Sequence, residues 1–205
     1  EVVSVGMQEV RIWDVCDDEP QMAWEDIGGW VAALRADGER MARVGRNEVT
    51  VYSTSDGSEL FRVDPFGDWD RGFPFRPMVV SMAFSPDGRR LAAGGSVAKV
   101  GGRHGLPGGS VRVWDAEAGD DLYGLEELST SVAAVRFSAN GERLAVATNG
   151  AGGELPEPGE VLIFNAETGE RLTQFKIKES VRPGEWASVS DIAFHPSGRQ
   201  IAAAS

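Results

Sequence analysis

The sequence predicts an all-β protein assembled from repeated four-stranded antiparallel units, and three observations predict it. First, 26 glycines and 10 prolines are spread through 205 residues. Such a density of chain breakers calls for many short elements joined by turns and excludes a helical bundle. Second, four segments align without gaps: residues 10–15 (VRIWDV), 49–54 (VTVYST), 111–116 (VRVWDA) and 161–166 (VLIFNA). Third, four turns align: ALRADGER around Gly38, AFSPDGRR around Gly88, RFSANGER around Gly141 and AFHPSGRQ around Gly198.

The aligned segments carry Val first, Ile or Val third, an aromatic fourth, and Asp, Ser or Asn fifth. β-Branched and aromatic residues at period two fit a pleated, largely buried strand, so Trp13, Tyr52, Trp114 and Phe164 read as core aromatics. In the aligned turns an apolar strand ends, a polar–Gly pair follows, and Arg or Gln opens the next strand. Glycine there supplies the positive φ of a tight hairpin. Three further turns, at Gly57, Gly119 and Gly169, each place a leucine three residues on, at Leu60, Leu122 and Leu172. They join the aromatic-bearing strand to the one after it.

Ordering these pieces gives four strands per unit, a to d, represented by residues 79–84, 90–93, 111–114 and 122–125. The a–b turn glycines stand 50, 53 and 57 residues apart. A propeller blade needs about 40–50 residues, so the units read as blades with insertions. An immunoglobulin-like sandwich has short strands too, but no single repeated four-strand pattern. The expected division is a single β-propeller fragment, 1–205, with a partial blade at 1–28 (strands b to d), blades at 29–77, 78–130 and 131–187, and a partial blade at 188–205 (strands a and b). That makes seventeen strands against about 28 in a seven-bladed ring. The expectation is therefore a partial β-propeller cut at both ends, whose open sheet edges self-associate.

Here the pattern becomes specific. FSPDGRRLAAGGS followed by GSVRVWDAEAG resembles the WD40 repeat, with Trp114-Asp115 and Trp13-Asp14 as its namesake pair and Tyr52-Ser53 and Phe164-Asn165 as degenerate versions. The resemblance covers nearly the whole chain and implies WD40-like blades. It departs from the family in two ways. The Gly-His pair before strand a is absent, and Met7, Arg46, Gly108 and Pro158 stand where the family has a turn Asp. The family's buried His–Asp–Ser–Trp network therefore cannot form, and apolar packing has to carry more of the blade.

The net charge is −12 and the pI about 4.6. An acidic surface repels a phosphate backbone, which argues against nucleic acid and leaves a protein or peptide partner the easier candidate, while the charge itself reads first as a solubility feature. No run reaches the ~18 apolar residues of a membrane span, so no membrane is expected. The single cysteine, Cys16, cannot form an internal disulfide, consistent with a cytoplasmic location.

The search for chemistry returns no catalytic, cofactor-binding or metal-ligating set. His195 occupies the turn position where sister units carry Ser85 and Ser138, so it reads as a turn residue. No G-x-S-x-G, H-E-x-x-H or Walker A pattern occurs. The glycine-rich stretch 101–110 (GGRHGLPGGS) enters a strand rather than a helix N-terminus, unlike a phosphate cradle. Asp64, Asp68 and Asp70 lack EF-hand spacing, so they read as a solvated acidic loop rather than a calcium site.

One feature remains. In propellers of this type the d–a and b–c connections emerge on one face and the a–b and c–d turns on the other. The long segments 64–77, 96–109, 149–159 and 178–187 would all rise on the first face, while the a–b turns and the c–d turns of complete blades are tight. The longest aromatic run, FGDWDRGFPFR, places Phe66, Trp69, Phe73 and Phe75 beside Arg71 and Arg76. These residue types dominate interface hot spots. Arg103 and His104 on a b–c connection, and Arg182 and Trp186 on a d–a connection, extend the candidate surface. The competing reading folds Phe73 and Phe75 back over the blade as a staple.

The resemblance thus implies a non-catalytic protein-interaction scaffold or a sensor and regulatory module, such as those attached to bacterial signalling kinases, proteases or ATPases. The alternatives are an enzymatic propeller of lactonase or glycosidase type and a TolB-like propeller of the cell envelope.

Overall fold

The computed structural model describes residues 2–5, 9–13, 20–25, 31–45, 48–66, 77–97, 108–128, 130–150, 158–177 and 188–205. Five antiparallel sheets follow one another along the described chain. The first holds β1 (Val2–Val5), β2 (Glu9–Trp13) and β3 (Pro20–Glu25). The second holds β4 (Ala32–Leu34), β5 (Arg40–Gly45), β6 (Glu48–Ser53) and β7 (Glu59–Val63). The third runs β8 (Met78–Phe84), β9 (Arg90–Val97), β10 (Gly108–Asp115) and β11 (Asp121–Leu128). The fourth runs β12 (Val132–Phe137), β13 (Arg143–Thr148), β14 (Glu160–Asn165) and β15 (Arg171–Lys176). The last holds β16 (Asp191–Phe194) and β17 (Ile201–Ala204). Each strand pairs with its sequence neighbour, so every sheet is a simple meander.

The turn chemistry explains why the meander repeats. In the third sheet the Gly88 amide donates to the Ser85 carbonyl at 2.9 Å, with Pro86 and Asp87 at the two central positions. Proline presets φ at the first central position of such a turn, and glycine is favoured at its end. The Ser85 hydroxyl locks the turn twice, donating to Asp87 Oδ1 at 2.5 Å and accepting from the Arg90 amide at 2.9 Å. Ser138 repeats the arrangement with Asn140 and Arg143. His195 takes the same place, its Nδ1 accepting from the Ser197 amide at 3.1 Å.

The fifth position of the aromatic strand has its own task. Asp115 Oδ1 accepts from the Glu117 and Ala118 amides, both at 2.8 Å, and Asn165 Oδ1 does the same for Glu167 and Thr168. A short polar side chain here satisfies amides that the tight turn would otherwise orphan. Immediately before it, a register shift recurs between strands c and d in all four sheets that contain them, at Trp13, Tyr52, Trp114 and Phe164. A bulge of this kind re-aims the side chain beside it.

The sheets pack face to face along strand a: β4 lies against β8, β8 against β12, and β12 against β16. Between the second and third sheets, Val49, Val51 and Val63 meet Val79, Met82, Leu91 and Trp114. Between the third and fourth, Val111, Val113 and Leu125 meet Val132, Val135, Leu144 and Phe164. Trp114 and Phe164 are buried at 2% and 5% exposure. Trp114 and Phe164 therefore each reach back onto the preceding sheet. Tyr52 departs from the core assignment: it is only half-buried, and its hydroxyl accepts from Arg43 Nη2 at 3.3 Å. The phenol keeps its polar end among polar groups, and the Arg43 guanidinium stacks 5.6 Å from the ring centroid.

Candidate functional site

The a–b and c–d turns gather at one end of the sheets, and side-chain contacts join them from sheet to sheet. Arg35, where sister turns carry Ser or His, reaches across to the c–d turn of the next sheet. Its Nη1 donates to Glu117 Oε1 at 2.5 Å, and its Nε donates to Asp37 at 2.9 Å. Arg40 joins the same knot, donating to the Ala116 carbonyl at 2.8 Å and pairing with the Glu117 carboxylate. Burial alone would lower the Arg35 pKa, but the hydrogen bonds and charges of Asp37 and Glu117 outweigh it and raise the value. Asp37 mirrors this: burial works upward, and the Arg35 hydrogen bond brings its carboxyl below the ordinary 3.8. This end of the molecule is a set of closed, mutually satisfied turns, which is the chemistry of a structural joint.

The opposite end differs in chain length. Strand β7 ends at Val63 and β8 begins at Met78; β9 ends at Val97 and β10 begins at Gly108. Strand β13 ends at Thr148 and β14 begins at Glu160, and β15 ends at Lys176 while β16 begins at Asp191. All four long connections leave from strand ends opposite the tight turns. The connection between β13 and β14 is anchored at its root: the Thr130 hydroxyl donates to the Asn149 carbonyl, and Thr148 Oγ1 accepts from the Glu160 amide at 3.2 Å.

Of the sequence-derived candidates, Phe66 is described. It is half-buried and packs against the core between the second and third sheets, with its amide donating to Asp64 Oδ1 at 2.8 Å. Phe66 thus roots its connection in the blade. Trp69, Arg71, Phe73, Phe75, Arg76, Arg103, His104, Arg182 and Trp186 lie outside the described residues, as do Asp68 and Asp70. Among the described residues no group of three or more His, Cys, Asp or Glu side chains is placed to hold a metal ion.

Two arrangements were missed from sequence. The first is a polar row on three successive strands a. The Ser81 hydroxyl accepts from the buried Val135 amide and from Arg136 Nη1, each at 3.1 Å, and Arg136 Nη2 donates to Asp191 Oδ1 at 2.7 Å. The sequence trace of it is an arginine inside the otherwise apolar VAAVRF. The second is a cleft of about 190 Å³ between the fourth and last sheets, lined by Arg143, Ile163, Leu172, Phe175, Phe194 and Ile201 among others.

Four-stranded antiparallel meanders stacked through their strands a define a partial β-propeller of repeated blades. Residues 75–115 match the family model described as WD domain, G-beta repeat, so this stretch carries a WD40 repeat. The matched stretch spans β8, β9 and β10, including Trp114-Asp115. A comparison with curated proteins found no match.

Proposed function

We propose that this protein is a non-catalytic interaction module of a larger bacterial signalling protein, working in the cytoplasm and binding a protein or peptide through the end that carries the long connections. WD40 repeats generally serve as protein-interaction scaffolds, and the chemistry of the chain agrees with that role. The observation that carries the reading is the asymmetry of the two ends. Every described a–b and c–d turn is tight and internally bonded, whereas the four long connections all leave from the other end. Rigid blades with variable connections on one side are how scaffolds present binding residues.

Within that end the segment from Phe66 to Arg76 leads, because aromatic and arginine side chains bury much area at little entropic cost. Phe66 anchors the segment on the core, so Trp69 and Arg71 are the residues assigned to the partner. The test is affinity capture from soluble cell extract, quantified by mass spectrometry, with the wild-type chain beside the Trp69→Ala/Arg71→Ala double variant. Specific captured proteins should fall by tenfold or more, a hot-spot loss of about 2 kcal/mol, with the melting temperature unchanged. A double variant that melts earlier and captures the same proteins would make the segment structural.

A further inference from the structure

The chain contains two Asn-Gly steps, Asn140-Gly141 in the turn between β12 and β13 and Asn149-Gly150 directly after β13. This dipeptide is prone to spontaneous loss of the side-chain amide. The glycine nitrogen attacks the asparagine Cγ, a C–N bond forms, and ammonia leaves a five-membered succinimide behind. Water then opens the ring at either carbonyl. One opening gives aspartate; the other gives isoaspartate, whose main chain runs through the former side chain. Glycine permits the attack because it has no Cβ to obstruct it and little conformational restriction. The folded chain treats the two steps differently.

At Asn140 the groups that must react are all engaged. The Gly141 amide donates to the Ser138 carbonyl at 2.8 Å, which holds the proton that must leave before the nitrogen can attack. Asn140 Oδ1 accepts from the buried Ser138 hydroxyl at 2.7 Å and from the Glu142 amide at 3.3 Å. Its Nδ2 donates to Glu142 Oε2 at 2.7 Å. The side chain cannot swing its Cγ onto Gly141 while these bonds stand. At Asn149 the bonds fall on the main chain alone. Its amide donates to the Ser131 carbonyl at 2.8 Å, and its carbonyl accepts from the Thr130 hydroxyl. Among the described residues nothing bonds the Asn149 side chain or the Gly150 amide.

We infer that Asn149 is a site of spontaneous deamidation in the folded protein, whereas Asn140 reacts only when its turn opens. Asn149 is half-buried and Gly150 is buried, so the folded site is slower than the same step in an unfolded chain. The order of rates is unfolded chain, then Asn149, then Asn140. The two products at Asn149 differ in consequence. Aspartate keeps both main-chain bonds and adds one negative charge at the root of the β13–β14 connection. Isoaspartate inserts a methylene between the amide and the carbonyl, so the Ser131 and Thr130 anchors cannot both be kept at their present spacing. The site lies at the end assigned above to a partner, but its chemistry is independent of that assignment.

The full chain is incubated at mildly alkaline pH, folded and in urea, and both sites are followed by peptide mass spectrometry. Trypsin cutting after Arg136, Arg143 and Arg171 places Asn140 and Asn149 on separate peptides. In urea the two steps should react at similar rates. In the folded chain Asn140 should be slower than Asn149 by at least about tenfold, because its reaction needs local opening of the turn. The Asn149 product should include isoaspartate, which direct hydrolysis of the amide cannot form. In a Ser138→Ala chain that still melts cooperatively above the incubation temperature, Asn140 should speed up while Asn149 keeps its rate. Equal rates at the two folded sites, or a faster Asn140, overturns the inference. So does a folded Asn149 that yields no product, or yields aspartate alone. An Asn140 that slows without the Ser138 hydroxyl also overturns it, because that hydroxyl would then activate the amide carbonyl rather than hold it.

Discussion

The seam between the third and fourth sheets and the seam between the fourth and last are built from the same repeat, yet one is closed and the other open. In the first, Leu125 is buried beneath Val132, Val135 and Phe164. In the second, Ile163, Val189 and Ile192 are buried but Phe175 stands half exposed. The difference lies in strand c of the following sheet. A blade of this protein is not a self-sufficient unit: its outer half becomes core only when the next blade's aromatic strand covers it. That is the general behaviour of repeats that cannot bury their apolar face alone.

The largest expected effect breaks the closed seam. Trp114→Ala removes a ring at 2% exposure from the core between the second and third sheets, and urea unfolding should show a loss of about 3–5 kcal/mol. Phe175→Ala, at the open seam, should cost less than about 1 kcal/mol. Equal losses would mean that strand c does not decide the difference.

A smaller effect separates two turn glycines with nearly the same backbone. Gly119 has φ 79° and Gly198 has φ 68°, so alanine at either carries the left-handed strain of about 1–2 kcal/mol. A Cβ at Gly119 would also lie 2.7 Å from the Phe61 ring of the preceding sheet, whereas at Gly198 the nearest side-chain atom is 4.0 Å away. Gly119→Ala should therefore exceed Gly198→Ala by about 1 kcal/mol or more, the cost of overpacking a seam. Gly169, 2.7 Å from Tyr123 in the same sense, should follow Gly119.

Tyr123 sharpens the comparison at the level of one hydrogen bond. Its hydroxyl donates to the Ala166 carbonyl across the closed seam at 2.6 Å, and burial pushes its pKa up to about 12. Tyr123→Phe should lower stability by about 1 kcal/mol. Spectrophotometric titration of the folded chain should show a tyrosine ionising near 12 that Tyr123→Phe removes.

The smallest effect is electrostatic. Asp37 and Asp87 are partly desolvated, which alone raises a carboxyl pKa, yet hydrogen bonds from Arg35 and from Ser85 respectively bring both below 3.8. A carboxyl whose folded value is depressed contributes stability that is complete above 3.8 and lost as pH falls through the lowered value. Urea midpoints should therefore be level from pH 6 to 5 and decline below about pH 4, less steeply in Arg35→Met and Ser85→Ala chains.

What the sequence made legible was everything contained within one blade. The seven turn glycines at Gly38, Gly57, Gly88, Gly119, Gly141, Gly169 and Gly198 all take positive φ. The aligned aromatic strands all became strand c, and His195 took a turn place like Ser85 and Ser138. What stayed hidden lies between blades. Arg35 meets Glu117 82 residues away, and Ser81, Arg136 and Asp191 come from three different repeats. Aligning repeats shows which residues are equivalent, but not which face of the neighbour each one meets. Tyr52 illustrates the limit: its place in the alignment is that of Trp114, yet it is only partly buried, with Arg43 on its hydroxyl and ring.

The measurement closest to the central claim is native-state amide exchange followed residue by residue. If cover by the next blade's strand c decides which half of a blade is core, amides of β9 and β13 should exchange only with global unfolding. Those of β16 and β17 should then open locally at free energies lower by several kcal/mol. Protection in β16 and β17 equal to that in β9 and β13 would contradict the account, since a two-stranded sheet without its outer strands would then be as stable as a complete blade.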